Sequence, residues 1–126
     1  MQILKTKKFD GFCQDNCIKD DALAEAIIEV ESGLVEAELG AQIVKKRVAR
    51  DGGGKSGGYR TIIFFKLGKR AIFLHGFPKN VLANIDKKTL ENLKTLAKVY
   101  NKLSDADIVK SVTAGIFVEV KNENQT

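Results

Sequence analysis

Between Gly52 and Lys79 the chain carries residues able to hold and cut a phosphodiester. The run opens Gly52-Gly53-Gly54-Lys55-Ser56-Gly57-Gly58-Tyr59-Arg60 and closes His75-Gly76-Phe77-Pro78-Lys79. Arg60 offers a planar guanidinium that grips a phosphate through two parallel N–H bonds. Lys55 and Lys79 are compact ammonium charges, one in a glycine loop and one at a strand exit. His75, the single histidine, gives or takes a proton near neutral pH. Phe77 can stack on a base. Each has a second use. Arg60 can pair with a structural carboxylate, His75 can simply pack, Phe77 can fill the core, and the glycines can form a plain connector between strands.

Charge supports a polyanionic partner. From Lys45 to Lys79 there are ten Lys or Arg residues against one acid, Asp51, while the rest of the chain is net acidic. A positive zone within an acidic protein points to nucleic acid. Lys45, Arg47, Arg50, Lys66 and Arg70 join Phe77 as candidate RNA contacts. The alternative is that these cations keep exposed sheet edges soluble.

Other chemistries fit poorly. Gly54-Lys55-Ser56 resembles part of a nucleotide-binding loop, but that motif needs a glycine where Ala49 stands and a helix after the serine. An apolar strand follows instead. Cys13 and Cys17 lack the second pair of ligands a zinc site requires, so no metal site and no cofactor is expected. The two thiols read as reduced and packed, or as a redox switch. No apolar run approaches the roughly 20 residues of a membrane span. The lysines near the N-terminus precede no apolar signal stretch. A cytoplasmic protein with no membrane partner is expected.

The elements that must position these residues form one domain over 1–126. Residues 3–6 read as a short strand and Phe9–Ile18 as a short helix. A helix follows over Ala22–Glu31, capped by Asp20 or Asp21 and stopped by Gly33. Leu34–Gly40 is ambiguous. Ile43–Arg50, Tyr59–Lys66 and Arg70–Phe77 read as strands, the last two joined as a hairpin through Leu67-Gly68-Lys69. Ile62-Ile63-Phe64-Phe65 is apolar on both faces, which places its strand centrally with cover on both sides. Asp86 caps a helix to about Leu103 whose apolar stripe packs on the sheet or receives a partner. Ser104 and Asp107 have capping-box spacing before a short helix and a last strand at 116–120. Residues 104–120 are thus a C-terminal helix–strand addition. Bunched strands make the class α+β with a small antiparallel sheet.

The set Gly54-Lys55-Ser56-Gly57-Gly58-Tyr59-Arg60, Gly76-Phe77-Pro78-Lys79-Asn80, Asn84-Ile85 and Leu90-x-x-Leu93-Lys94-x-Leu96-Ala97 resembles the RelE-like branch of the RelE/ParE type II toxin–antitoxin superfamily. The resemblance covers roughly residues 40–120. It implies helices packed on one face of an antiparallel sheet, a cognate antitoxin as partner, and assembly with that antitoxin. It also implies a metal-independent endoribonuclease acting on mRNA in the ribosome, through attack of the RNA 2′-hydroxyl on the adjacent phosphorus. Lys55 and Arg60 match the family's loop lysine and its Gly-Tyr-Arg arginine, and Lys79 its basic residue after the hairpin. In that scheme Lys55 is the base, Arg60 stabilises the transition state and Lys79 holds phosphate or aids the leaving group. Tyr59 and His75 are further catalytic candidates. No tyrosine follows Lys79 where some relatives place one to stack on a base. A gyrase poison of the ParE type and a non-catalytic RNA-binding module are the competing readings.

Overall fold

Four successive apolar residues, Ile62 to Phe65, demand cover on both faces of their strand. The computed structural model describes residues 1–49, 58–78 and 85–121, and it provides that cover. The described chain runs β1 (Gln2–Thr6), α1 (Lys7–Asn16), α2 (Asp20–Glu31), β2 (Ala37–Gly40), β3 (Ile43–Val48), β4 (Tyr59–Lys66), β5 (Arg70–Pro78), α3 (Lys87–Asn101), α4 (Asp105–Thr113) and β6 (Phe117–Glu119). These strands form one sheet in the order β2-β3-β4-β5-β1-β6. β1 runs parallel to β5; the other pairs are antiparallel. The fold is α+β with a mostly antiparallel sheet.

Helices cover both faces of the sheet, not the single face the resemblance implied. Phe9 and Cys13 of α1 with Leu23, Ile27 and Val30 of α2 pack on Ile63 and Phe73. Leu93 and Ala97 of α3 with Ile108 of α4 pack on Ile62, Phe64 and Ile72. The reason is the alternation of strand side chains: Ile62 and Phe64 point one way, Ile63 the other. Both sets are apolar, so neither face can be left to water.

Local signals set most boundaries. The Asp86 carboxylate accepts the Thr89 N–H at 2.8 Å and starts α3. Ser104 and Asp107 form the reciprocal capping box at the start of α4. Gly68, at φ +75, lets the β4–β5 turn close. The start of α2 differs from expectation. Its N-cap is Lys19, with no side-chain cap. The Asp20 carboxylate is spent elsewhere: it accepts from Lys5 Nζ at 3.1 Å and from the Lys121 N–H at 2.8 Å. Lys5 is buried and also pairs with Asp10 at 2.8 Å. Burial alone would lower its pKa, but hydrogen bonds to Asp10 and Asp20 outweigh that and raise it above the ordinary lysine value.

β5 carries a bulge. Ile62 pairs with His75 and Ile63 with Phe73, so Leu74 has no cross-strand partner. Phe73 faces α1 and α2 while Leu74 and Phe77 face α3. Next comes Gly76, whose Cβ would lie 2.5 Å from the Phe12 ring of α1. Only glycine allows that approach.

Candidate functional site

Alternation along β3 and β4 decides which cations meet. Ile43 and Ile62 belong to the α3-side core, so Lys45, Arg47 and Arg60 share that side. Arg47 and Arg60 are direct cross-strand partners. Like charges so placed repel. Glu36, just before β2, resolves the repulsion. Its N–H donates to the Lys45 carbonyl at 2.8 Å, which fixes its backbone against β3. Arg60 Nε then donates to both carboxylate oxygens, at 3.1 and 3.2 Å. Lys45 Nζ and Arg47 Nε each lie 3.5 Å from the same carboxylate. Burial works to raise the Glu36 pKa, yet the Arg60 hydrogen bond and the charges of Lys45, Arg60 and Arg47 hold it below the ordinary carboxylate range. Glu36 therefore stays ionised at neutral pH and makes a poor proton acceptor. It anchors three cations.

Arg60 faces Phe77 across β4–β5, and Ile62 faces His75. The His75 and Phe77 rings lie 5.9 Å apart, tilted by 44°. Phe77 is buried in the α3-side core. His75 is half-buried and lines a small hollow of about 60 Å³ with Phe77, Ile85, Asp86 and Thr89. Burial first, and the charge of Lys8 second, push its pKa below the ordinary histidine value against the pull of Asp86. The imidazole is thus neutral at pH 7 and ready to accept a proton.

The remaining candidates separate. Tyr59 points to the opposite side of the sheet, its ring edge-on to Phe12 at 5.7 Å. Lys66 and Arg70 pair at the far end of the hairpin from Arg60. Lys66 Nζ donates to the Asn101 carbonyl at 3.4 Å. Arg70 is buried at 3% exposure and bound to Asp105 of α4. Lys55, Arg50 and Lys79 lie outside the described residues. The chain that flanks them, Ala49, Gly58 and Pro78, sits at the Arg60 end of the sheet, where Val48 and Pro78 both pair with Tyr59.

Sequence reasoning missed Glu36, because 34–40 carried no clear period. The available signal was an acid shortly ahead of a strand with three adjacent cations. The two thiols stay unpaired as cysteines, and burial pushes Cys13 up to about 11. A thiol so rarely ionised is a weak nucleophile. No described helix is long and apolar enough to cross a membrane.

The family model for the RelE toxin of the RelE / RelB toxin–antitoxin system matches residues 1–120. Comparison with curated proteins gives no match. The family match takes in β1, α1 and α2 as well as the Arg60 strand, so it spans all ten described elements. The chain belongs to the RelE toxin family, and is the toxin of a toxin–antitoxin pair whose partner is an antitoxin.

Proposed function

We propose that this toxin is an mRNA endonuclease that works on the translating ribosome and cleaves by 2′-hydroxyl attack without a metal. The observation that carries the reading is the Glu36 anchor. It holds Arg60 by two hydrogen bonds, gathers Lys45 and Arg47, and does so on the face where His75 opens to a hollow. A guanidinium fixed before the substrate arrives loses little side-chain entropy on binding phosphate.

In the reaction the 2′-oxygen bonds to phosphorus and the bond from phosphorus to the 5′-oxygen breaks. The 2′-hydroxyl proton passes to a base, and an acid gives one to the departing oxygen. The products are a 2′,3′-cyclic phosphate and a 5′-hydroxyl end. Arg60 stabilises the doubly charged phosphorane, a role worth ~10²–10³-fold for one well-placed donor. Lys45 and Arg47 hold the strand by its phosphates. Proton transfer, worth ~10²–10⁴-fold per group, falls to His75 and to Lys55, with Lys79 at the leaving side and Tyr59 on the opposite sheet face as an outer candidate. Lys66 and Arg70 are left out of the site by their position, and Phe77 supports it from the core.

Induction with mapping of transcript 5′-ends tests the reading. Wild type is expected to arrest translation and leave cut messages. Arg60→Ala should fold, keep its antitoxin and lose cutting. Double-strand DNA breaks with intact message would instead favour a gyrase poison, and full toxicity of Arg60→Ala would remove the site.

A further inference from the structure

A second, larger cleft opens beside His75. It measures about 480 Å³ and lies between the first residues of α1, the bulged part of β5 and one side of α3. That volume falls within the ~300–1,000 Å³ common for small-ligand sites. The bulge makes it. With Leu74 unpaired, both Leu74 and His75 turn to the α3 side, and α3 seats only Leu93 and Ala97 fully on the sheet. Leu96 and Tyr100 of α3, both half-buried, form its wall, the Tyr100 ring held edge-on against Phe117 at 5.1 Å.

The lining sorts by chemistry. Leu74, Leu93 and Leu96 give an apolar floor, with Tyr100 as an aromatic flank. Thr89 and Asn92 supply hydrogen-bonding groups. Lys7 and Lys8, both exposed, stand at the rim, and among the described residues no carboxylate lines the cleft. An apolar slot with an amide, a hydroxyl and two ammonium groups at its mouth suits a flat heterocycle carrying a phosphate. His75 and Thr89 line both this cleft and the small hollow, and that hollow reaches Phe77, the partner of Arg60.

The geometry points to a nucleotide subsite: this cleft takes one unstacked nucleotide of single-stranded RNA next to the scissile linkage, its base against Leu96 and Tyr100 and its phosphate on Lys7 and Lys8. The placement beside a scissile bond rests on the endonuclease reading; the binding does not. A base held here makes the toxin selective for the residue at that codon position.

Full-length Arg60→Ala protein is titrated with 5′-AMP, 5′-CMP and the matching nucleosides, following the Thr89, Asn92 and Tyr100 resonances by NMR. Nucleotides are expected to shift these signals at millimolar concentration, nucleosides more weakly. The double change Lys7→Gln with Lys8→Gln, at exposed positions that leave the fold intact, should weaken nucleotide binding about tenfold and flatten its salt dependence. In otherwise wild-type toxin the same double change should slow cutting at all codons alike, whereas Leu96→Ala should alter which codons are cut. Failure of every nucleotide to move the three signals overturns the subsite. So does unchanged nucleotide affinity in the double variant, or an antitoxin peptide that occupies the cleft while nucleotides do not. Nucleotide binding with no message cleavage by wild type would leave the subsite standing and bring down the endonuclease reading alone.

Discussion

Glu36 is a carboxylate whose value lies in what it immobilises. Glu36→Gln keeps the shape but leaves Arg47 and Arg60 facing each other with their repulsion unrelieved. The variant is expected to retain message binding, lose about tenfold or more in cleavage rate, and become more salt-sensitive; a translating extract with a reporter message measures all three. Acid should act in the same direction. The folded pKa of Glu36 lies below 4.5, so its contribution to stability is complete above that pH and is lost as pH falls through the folded value. His75 adds to acid lability for the opposite chemical reason. Below 6.5 the unfolded chain takes up a proton that the folded chain resists, so stability drops from 6.5 down through the folded pKa. If His75 is the proton acceptor, cleavage rate has an acid limb with its midpoint below 6.5, and His75→Gln abolishes that limb. An unchanged limb in the variant removes His75 as the base. The cations themselves were legible in the sequence, since a basic stretch in an acidic chain is visible by counting. Their anchor was not, because one acid in an aperiodic segment announces nothing until the strands pair.

The hairpin β4–β5 and the helix caps at Asp86 and Ser104 were legible because each rests on residues close in sequence. The bulge at Leu74 was not read, although an isolated glycine inside a strand is its usual mark. Gly76 supplied that mark. The bulge decides the site, because it turns Leu74 and His75 together toward α3 and lets Gly76 receive the Phe12 ring. Gly76→Ala places a methyl 2.5 Å from that ring, so α1 must shift. The expected cost is ~1–3 kcal/mol, as for overpacked cores. Urea unfolding checks it, and Phe12→Leu in the same chain should recover part of the loss. The parallel pairing of β1 with β5 was beyond local reading, since nothing near Gln2 names Arg70 as its partner.

Across the whole molecule, two cores share one sheet, and an ionic clasp joins the ends of the described chain. Lys5, Asp10 and Asp20 tie β1 to α1 and α2, and Asp20 also takes the Lys121 amide. Asp20→Asn leaves the buried Lys5 ammonium with one carboxylate instead of two. A loss of ~1–3 kcal/mol in thermal or urea unfolding is expected, the scale of a weakened charged hydrogen bond. Message cleavage at 25 °C should be unaffected, which separates this clasp from the Glu36 anchor. Lys5 helps most below 10.5, and its contribution fades as pH rises through the higher folded pKa. β1 also has a consequence for how the toxin comes into being. It is the first strand in the chain, yet its two neighbours, β5 and β6, are among the last elements made. A nascent polypeptide still short of Phe117 has no means of finishing this sheet, and such long-range pairing is slow to form. The last piece of this sheet, β6, can be added only once Phe117–Glu119 has been made.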